Sequence, residues 1–258
     1  MRPGTDILKE IGDAYLKAME HEKPARTSPE HIDSARTAAE HFEKAATLAG
    51  AASANTSLPS SSRTEVEAYE KYYRSCHNKS LAWFSYEKRD TDAARENEEK
   101  RQQLLTEAIA VIDARWDEFS DDRHEHMGRM RNSWKAELKA SAVHLSAVRA
   151  REHWDTGNPV DARDWYHRTA SQAYKAIDYL NTHDLDPASE RVMRGNMLGM
   201  IANAEQAIAK VLLDRLSQSG IQSLSDADTQ LAINLLDAFL KTLVAGNEAL
   251  QANIEWGQ

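Results

Sequence analysis

The densest group of chemistry-bearing residues is the stretch SDDRHEH, which places Asp121, Asp122, His124, Glu125 and His126 side by side. Carboxylates and imidazoles bind a divalent cation together when a loop turns them inward. His124 and His126 stand two apart, however, so a helix would point them in widely different directions, and a solvated turn between helices is expected. A carboxylate-bridged di-metal centre in a helical bundle needs Glu and His three apart on two helices. None of the ten histidines has Glu three positions earlier; only Asp121 with His124 and Asp164 with His167 approximate the pair. Cys76 lies on an apolar stripe next to His77, and adjacency along a helix does not give an imidazole the geometry to activate a thiolate. There is no glycine-rich phosphate loop, nucleophile elbow or paired CxxC. The expectation is therefore no catalytic residue, no metal and no cofactor.

Polar residues at helical positions are better candidates, because a groove between helices holds a peptide through side-chain amides, Arg and Trp. The run RVMRGNMLGM sets Gly195 and Gly199 four apart, where another backbone can come close, and Asn196 and Asn203 flank the pair at some cost in helix propensity. Arg151 and Trp154 follow the apolar stripe of the preceding long helix near its end. His77 and Asn78 occupy the corresponding place on an earlier helix. These six residues form the expected partner-binding set. Basic residues cluster at Arg129, Arg131 and Lys135, a solvated helix start or a dock for an acidic partner.

The elements that position them are helices. Of 258 residues only 10 are Gly and 6 Pro, well under the usual shares, so long uninterrupted elements are expected. Ala, Glu, Lys, Leu and Arg dominate, which selects helix over strand. The formal charge of −9 disfavours phosphate neutralisation and hence a nucleic-acid partner. A single cysteine and a polar N-terminus fit a cytoplasmic protein, and no apolar run is long enough for a membrane span.

Caps and apolar periods divide the chain into eight helices paired as four hairpins, near 5–50, 63–119, 124–182 and 186–254. The first helix carries Leu8, Ile11, Tyr15 and Ala18 and fades near Pro24; Ser28 and Pro29 open the second, and Gly50 closes it. Residues 51–62 are small, polar and aperiodic and read as a flexible loop between an N-terminal hairpin (1–50) and a main array (63–258), the whole forming one continuous domain. Thr91 or Asp92 caps the fourth helix, whose start, ARENEEKRQQ, offers almost nothing to bury and is expected to project into water or against a partner. Gly157, Asn158 and Pro159 form a turn between helices five and six. Asp186 with Pro187 opens the seventh helix and Gly220 ends it. The eighth, opened by Ser225, is read with Leu231, Leu235, Ala238 and Leu243 inward.

The third hairpin resembles a tetratricopeptide repeat through Ala150, Gly157, Ala162 and Tyr166, and the first repeats part of the pattern in Leu8, Ile11, Gly12, Tyr15, Ala38, Phe42 and Ala45. The proline that closes each unit in that family is absent from both. The resemblance implies an all-α, right-handed array of antiparallel hairpins, or an elongated bundle, whose first helices line a groove for a protein or peptide partner. On this reading the chain is a non-catalytic scaffold or adaptor. A helical-bundle enzyme or small-molecule sensor without a recognisable motif, and a subunit of a larger assembly, stay open, as does the oligomeric state.

Overall fold

The computed structural model describes residues 4–27, 32–219 and 225–257, and among them there are eight α-helices and no strand. In chain order these are α1 (Gly4–Thr27), α2 (Ser34–Ser53), α3 (Ser60–Glu87), α4 (Thr91–Ala114), α5 (Asp121–Asp155), α6 (Pro159–Thr182), α7 (Pro187–Ser219) and α8 (Asp226–Gly257), with a short 3-10 turn at Trp116–Glu118 before α5. The chain forms two compact units, Met1–Ser141 and Ala142–Gln258, which divide inside α5 and not at residues 51–62.

In the first unit α2 packs against both α1 and α3, and α3 against α4. A helix held on two sides needs small residues on two faces. The buried positions of α2 are accordingly Ala35, Ala38, Ala39, Ala45, Ala46, Ala49 and Ala52 around the single large ring of Phe42. Gly50, read as the end of this helix, lies within it. A Cβ there would sit 3.1 Å from Glu70 Cδ, so the glycine marks a close approach of α2 to α3. Residues 51–53 and 60–62 are helical; the connection is residues 54–59, where Asn55 Oδ1 accepts from Ser57 N and Oγ and Leu58 packs onto the core. Pro24 lies inside α1, which runs on to Thr27, while the Ser28–Pro29 cap falls outside the described residues. Tyr15, Tyr69, Tyr72 and Tyr73 complete an aromatic core around Trp134, which stacks on Tyr72 at 5.0 Å and meets Tyr69 edge-on at 5.6 Å.

Two of the turns close in the same way. After α5, Gly157 takes φ +76°, its N–H donates to Trp154 O, and Asn158 N–H donates to His153 O. After α3 the left-handed residue is Arg89 at φ 63°, with Arg89 N–H on Tyr86 O and Asp90 N–H on Ser85 O. Both are Schellman closures, and only one has glycine where the backbone favours it. Asp90, not Thr91 or Asp92, caps α4 by accepting from Ala93 N. Asn158 caps α6 through Asp161 N, and Asp186 caps α7 through Ser189 N.

In the second unit α7 packs against α6 and α8. Ile208, Leu212 and Ala238 form its core, with Tyr166, Leu231 and Leu235 packed on them. Ala150 and Ala162 are fully buried on either side of the Gly157 turn. Leu243, read as inward on α8, is more than half exposed; among the described side chains of α8 the buried ones are Ala238, Ala245 and Ala249. Ala238 to Leu243 is five residues, or about 500° of helix, which carries Leu243 away from α7. The Gly220 stop lies outside the described residues.

Candidate functional site

Two features concentrate side chains of functional interest, one in each unit. In the second unit a groove of about 690 Å³ runs beside α7. Its floor and walls are apolar and aromatic, built from Trp154, Tyr166, Leu213, Leu235, Leu236 and Phe239, and its polar groups are Asn203, Gln206 and Lys210. Four helices supply these residues: the end of α5 brings Trp154, α6 brings Tyr166, α7 the polar groups and α8 the last apolar wall. Lys210 Nζ sits 5.0 Å from the Trp154 ring centroid, a cation-π contact that fixes the indole at one end.

The polar groups follow one line on α7. Asn196, Gly199, Asn203, Gln206, Lys210 and Leu213 stand at alternating spacings of three and four, which is one helix face about 26 Å long. A Cβ at Gly199 would meet nothing within 4 Å, so this glycine opens the stripe and does not serve tight helix packing. Gly12 of α1 is equally open, so it marks no close crossing either.

Of the six residues singled out in the sequence, Trp154 and Asn203 line this groove together. Asn196 is exposed two turns before Asn203 on the same face. Arg151 lies one turn before Trp154, 3.8 Å from Asp155. His77 and Asn78 belong to the first unit and are engaged there: His77 Nδ1 donates to Ala39 O at 2.9 Å, and buried Asn78 donates Nδ2 to Arg74 O at 2.8 Å. Gln206 and Lys210 were missed, although three and seven residues after Asn203 is the spacing that puts them on its face.

The second feature corrects the reading of the start of α4. Glu98 and Arg101 are 3% and 2% exposed and do not project into water. Arg101 Nη1 faces both Glu98 oxygens at 3.3 Å, and its Nη2 donates to Glu137 Oε2 of α5 at 3.0 Å. Tyr72 OH donates to the other Glu137 oxygen at 3.1 Å, and Ser141 Oγ donates to Glu98. Nearby, Lys79 pairs with Glu22 of α1 at 3.0 Å. Burial works against the Arg101 charge, but Glu98 and Glu137 outweigh it and hold the guanidinium protonated. Burial likewise pushes the Cys76 thiol up to about 12, which removes it as a nucleophile at neutral pH. Acceptors and donors of this cluster come from different helices, so it sets the register of α1, α3, α4 and α5 within the unit.

The SDDRHEH stretch is the first turns of α5. His124 Nε2 donates to Trp116 O at 3.1 Å while its ring stacks on the indole at 5.0 Å. Among the described residues no three of His, Cys, Asp and Glu come together as a metal-binding set, and no helix is long and apolar enough to cross a membrane. No family model matches the chain, and no curated protein or solved structure matches it.

Proposed function

We propose that the chain is a non-catalytic binding protein whose second unit holds an apolar peptide segment of a partner along α7. The observation that carries this reading is the coincidence, in one groove, of an aromatic floor with a line of amides. Trp154, Tyr166 and Phe239 supply contact area at small cost in side-chain entropy, while Asn203 and Gln206 offer donors and acceptors to a peptide backbone lying beside them. Lys210, seated on Trp154, selects a segment with a carboxylate near that end. The hairpin turn at Gly157, with Ala150 and Ala162 buried on its two sides, is in keeping with a tetratricopeptide-like scaffold for such a groove.

The test is affinity capture from a lysate of the source cells, followed by titration of the captured partner. Asn203→Ala with Gln206→Ala changes two exposed side chains and should leave the helical circular dichroism signal intact. Partner affinity should fall more than tenfold, about 1.4 kcal/mol. Equal affinity in the folded variant would refute the groove.

A further inference from the structure

The outer face of α8 goes beyond the groove. A helix with one packed side ordinarily shows water a polar face. On α8, Ala238, Ala245 and Ala249 are buried toward α7, yet Ile233, Leu236, Leu240, Leu243 and Val244 on the other side are each more than half exposed. A helix apolar on both sides is one with neighbours on both sides.

The exposed residues have a definite register. Ile233, Leu236, Leu240 and Leu243 alternate spacings of three and four, and the sequence carries the same spacing on through Asn247, Leu250 and Ile254. Written as heptads, the first core position holds Ile233, Leu240, Asn247 and Ile254, and the second holds Leu236, Leu243 and Leu250. Two of the four first positions, Ile233 and Ile254, are β-branched, which with leucine at the second position is compatible with two parallel strands, and a single Asn at the first position sets register, because two such amides pair across the axis. Leu236 of this seam also lines the groove, and Phe239 stands beside it on that side, so the two surfaces adjoin along α8.

We infer that this seam is filled by α8 of a second copy of the chain, the two helices parallel and in register at Asn247. A two-fold dimer needs a surface complementary to itself, and this one is. An antiparallel arrangement would set each Asn247 amide against leucine. Charge adds to the argument. The chain carries −9, but the seam itself has no charged residue, and the adjacent Asp237 is neutralised by Lys241 at 2.9 Å, so two seams meet without repulsion. From Ile233 to Ile254 the seam spans about 33 Å, and a strip of that length and about 10–12 Å wide is on the order of 350 Å² before side-chain relief is counted, under half of the ~800 Å² each partner of a standard-size complex buries, so register and not area carries the pairing. A partner recognised by charge would find no complement here.

Sedimentation equilibrium of the full chain at micromolar concentration tests the inference directly. The expected mass is twice 29.0 kDa. Leu240→Glu with Leu243→Glu, at exposed positions, should keep the helical signal and sediment as a monomer. Asn247→Cys should give a disulfide-linked dimer on mild oxidation, whereas Lys241→Cys, on the polar side of α8, should not. A monomeric wild type, which would leave the seam to some other chain, overturns the inference. So does a dimer that survives both glutamates or fails to cross-link at position 247. None of these readouts depends on the partner of the groove.

Discussion

Arg101 of α4 lies 3.0 Å from Glu137 of α5, with its side chain almost wholly withdrawn from water and its other terminal nitrogen shared by Glu98. One cation thus serves two carboxylates from two helices. Such a group stabilises only while complete, because removing Arg101 strands Glu98 and leaves Glu137 with Lys79 alone to offset its burial. Arg101→Met should lower the stability of the first unit by about 3–5 kcal/mol. Replacing Glu98, Arg101 and Glu137 together by Met should recover most of that loss, since packed apolar side chains need no charge compensation. Urea unfolding followed by circular dichroism measures both. A triple variant weaker than the single one would mean that the charges, and not the space they fill, hold these helices.

Two buried carboxylates should respond oppositely to pH. Burial pushes Glu137 up, but Lys79 and Arg101 outweigh it and leave its carboxyl below the ordinary range. The unfolded chain then takes the proton first, so the Glu137 contribution is complete above the ordinary carboxyl pKa and is lost as pH falls through the lower folded value. Glu205 of α7 is raised, chiefly by burial, with Lys241 only partly opposing it. There the folded chain holds the proton more tightly, and stability declines as pH rises above the ordinary value of about 4.3. Glu137→Gln should destabilise at neutral pH with a penalty that shrinks as pH falls below the ordinary value of about 4.3, whereas Glu205→Gln should stabilise at neutral pH with a gain that vanishes as pH falls to that value. Thermal unfolding across this range separates the two; equal shifts at all pH values would contradict the assignment.

The two Schellman turns provide a matched pair. Arg89 holds φ 63° with a side chain, and Gly157 holds φ +76° without one. Left-handed backbone costs an L-residue about 1 kcal/mol relative to glycine. Arg89→Gly should therefore stabilise by about 1 kcal/mol and Gly157→Ala destabilise by a similar amount. A Cβ at Gly157 would meet nothing within 4 Å, so the second effect reports backbone conformation alone. Midpoints of thermal unfolding moving in the same direction would contradict this account.

The eight helices, the caps at Asn158 and Asp186 and the Gly157 turn were legible in the sequence, because these are local: a cap, a proline at the first turn and a glycine after the last act within a few residues. Ala38, Phe42 and Ala45, singled out on the second helix, are all buried on α2. Where partners are distant, the sequence was silent or misleading. Glu98 and Arg101 read as a solvated face because their hydropathy belongs to water, and only Glu137, 36 residues beyond Arg101, makes their burial affordable. Leu243 was placed inward because α8 is apolar nearly all round, and periodicity cannot say which of two apolar faces meets α7. His77 and Asn78 carry groups that suit a groove, but the carbonyls of Ala39 and Arg74 take them up. Trp154 and Asn203 were expected in one groove with Arg151, Asn196, His77 and Asn78; that only the first two line it was decided by the packing of α5, α6, α7 and α8 in the second unit, since a groove is a relation between helices and no single helix contains it.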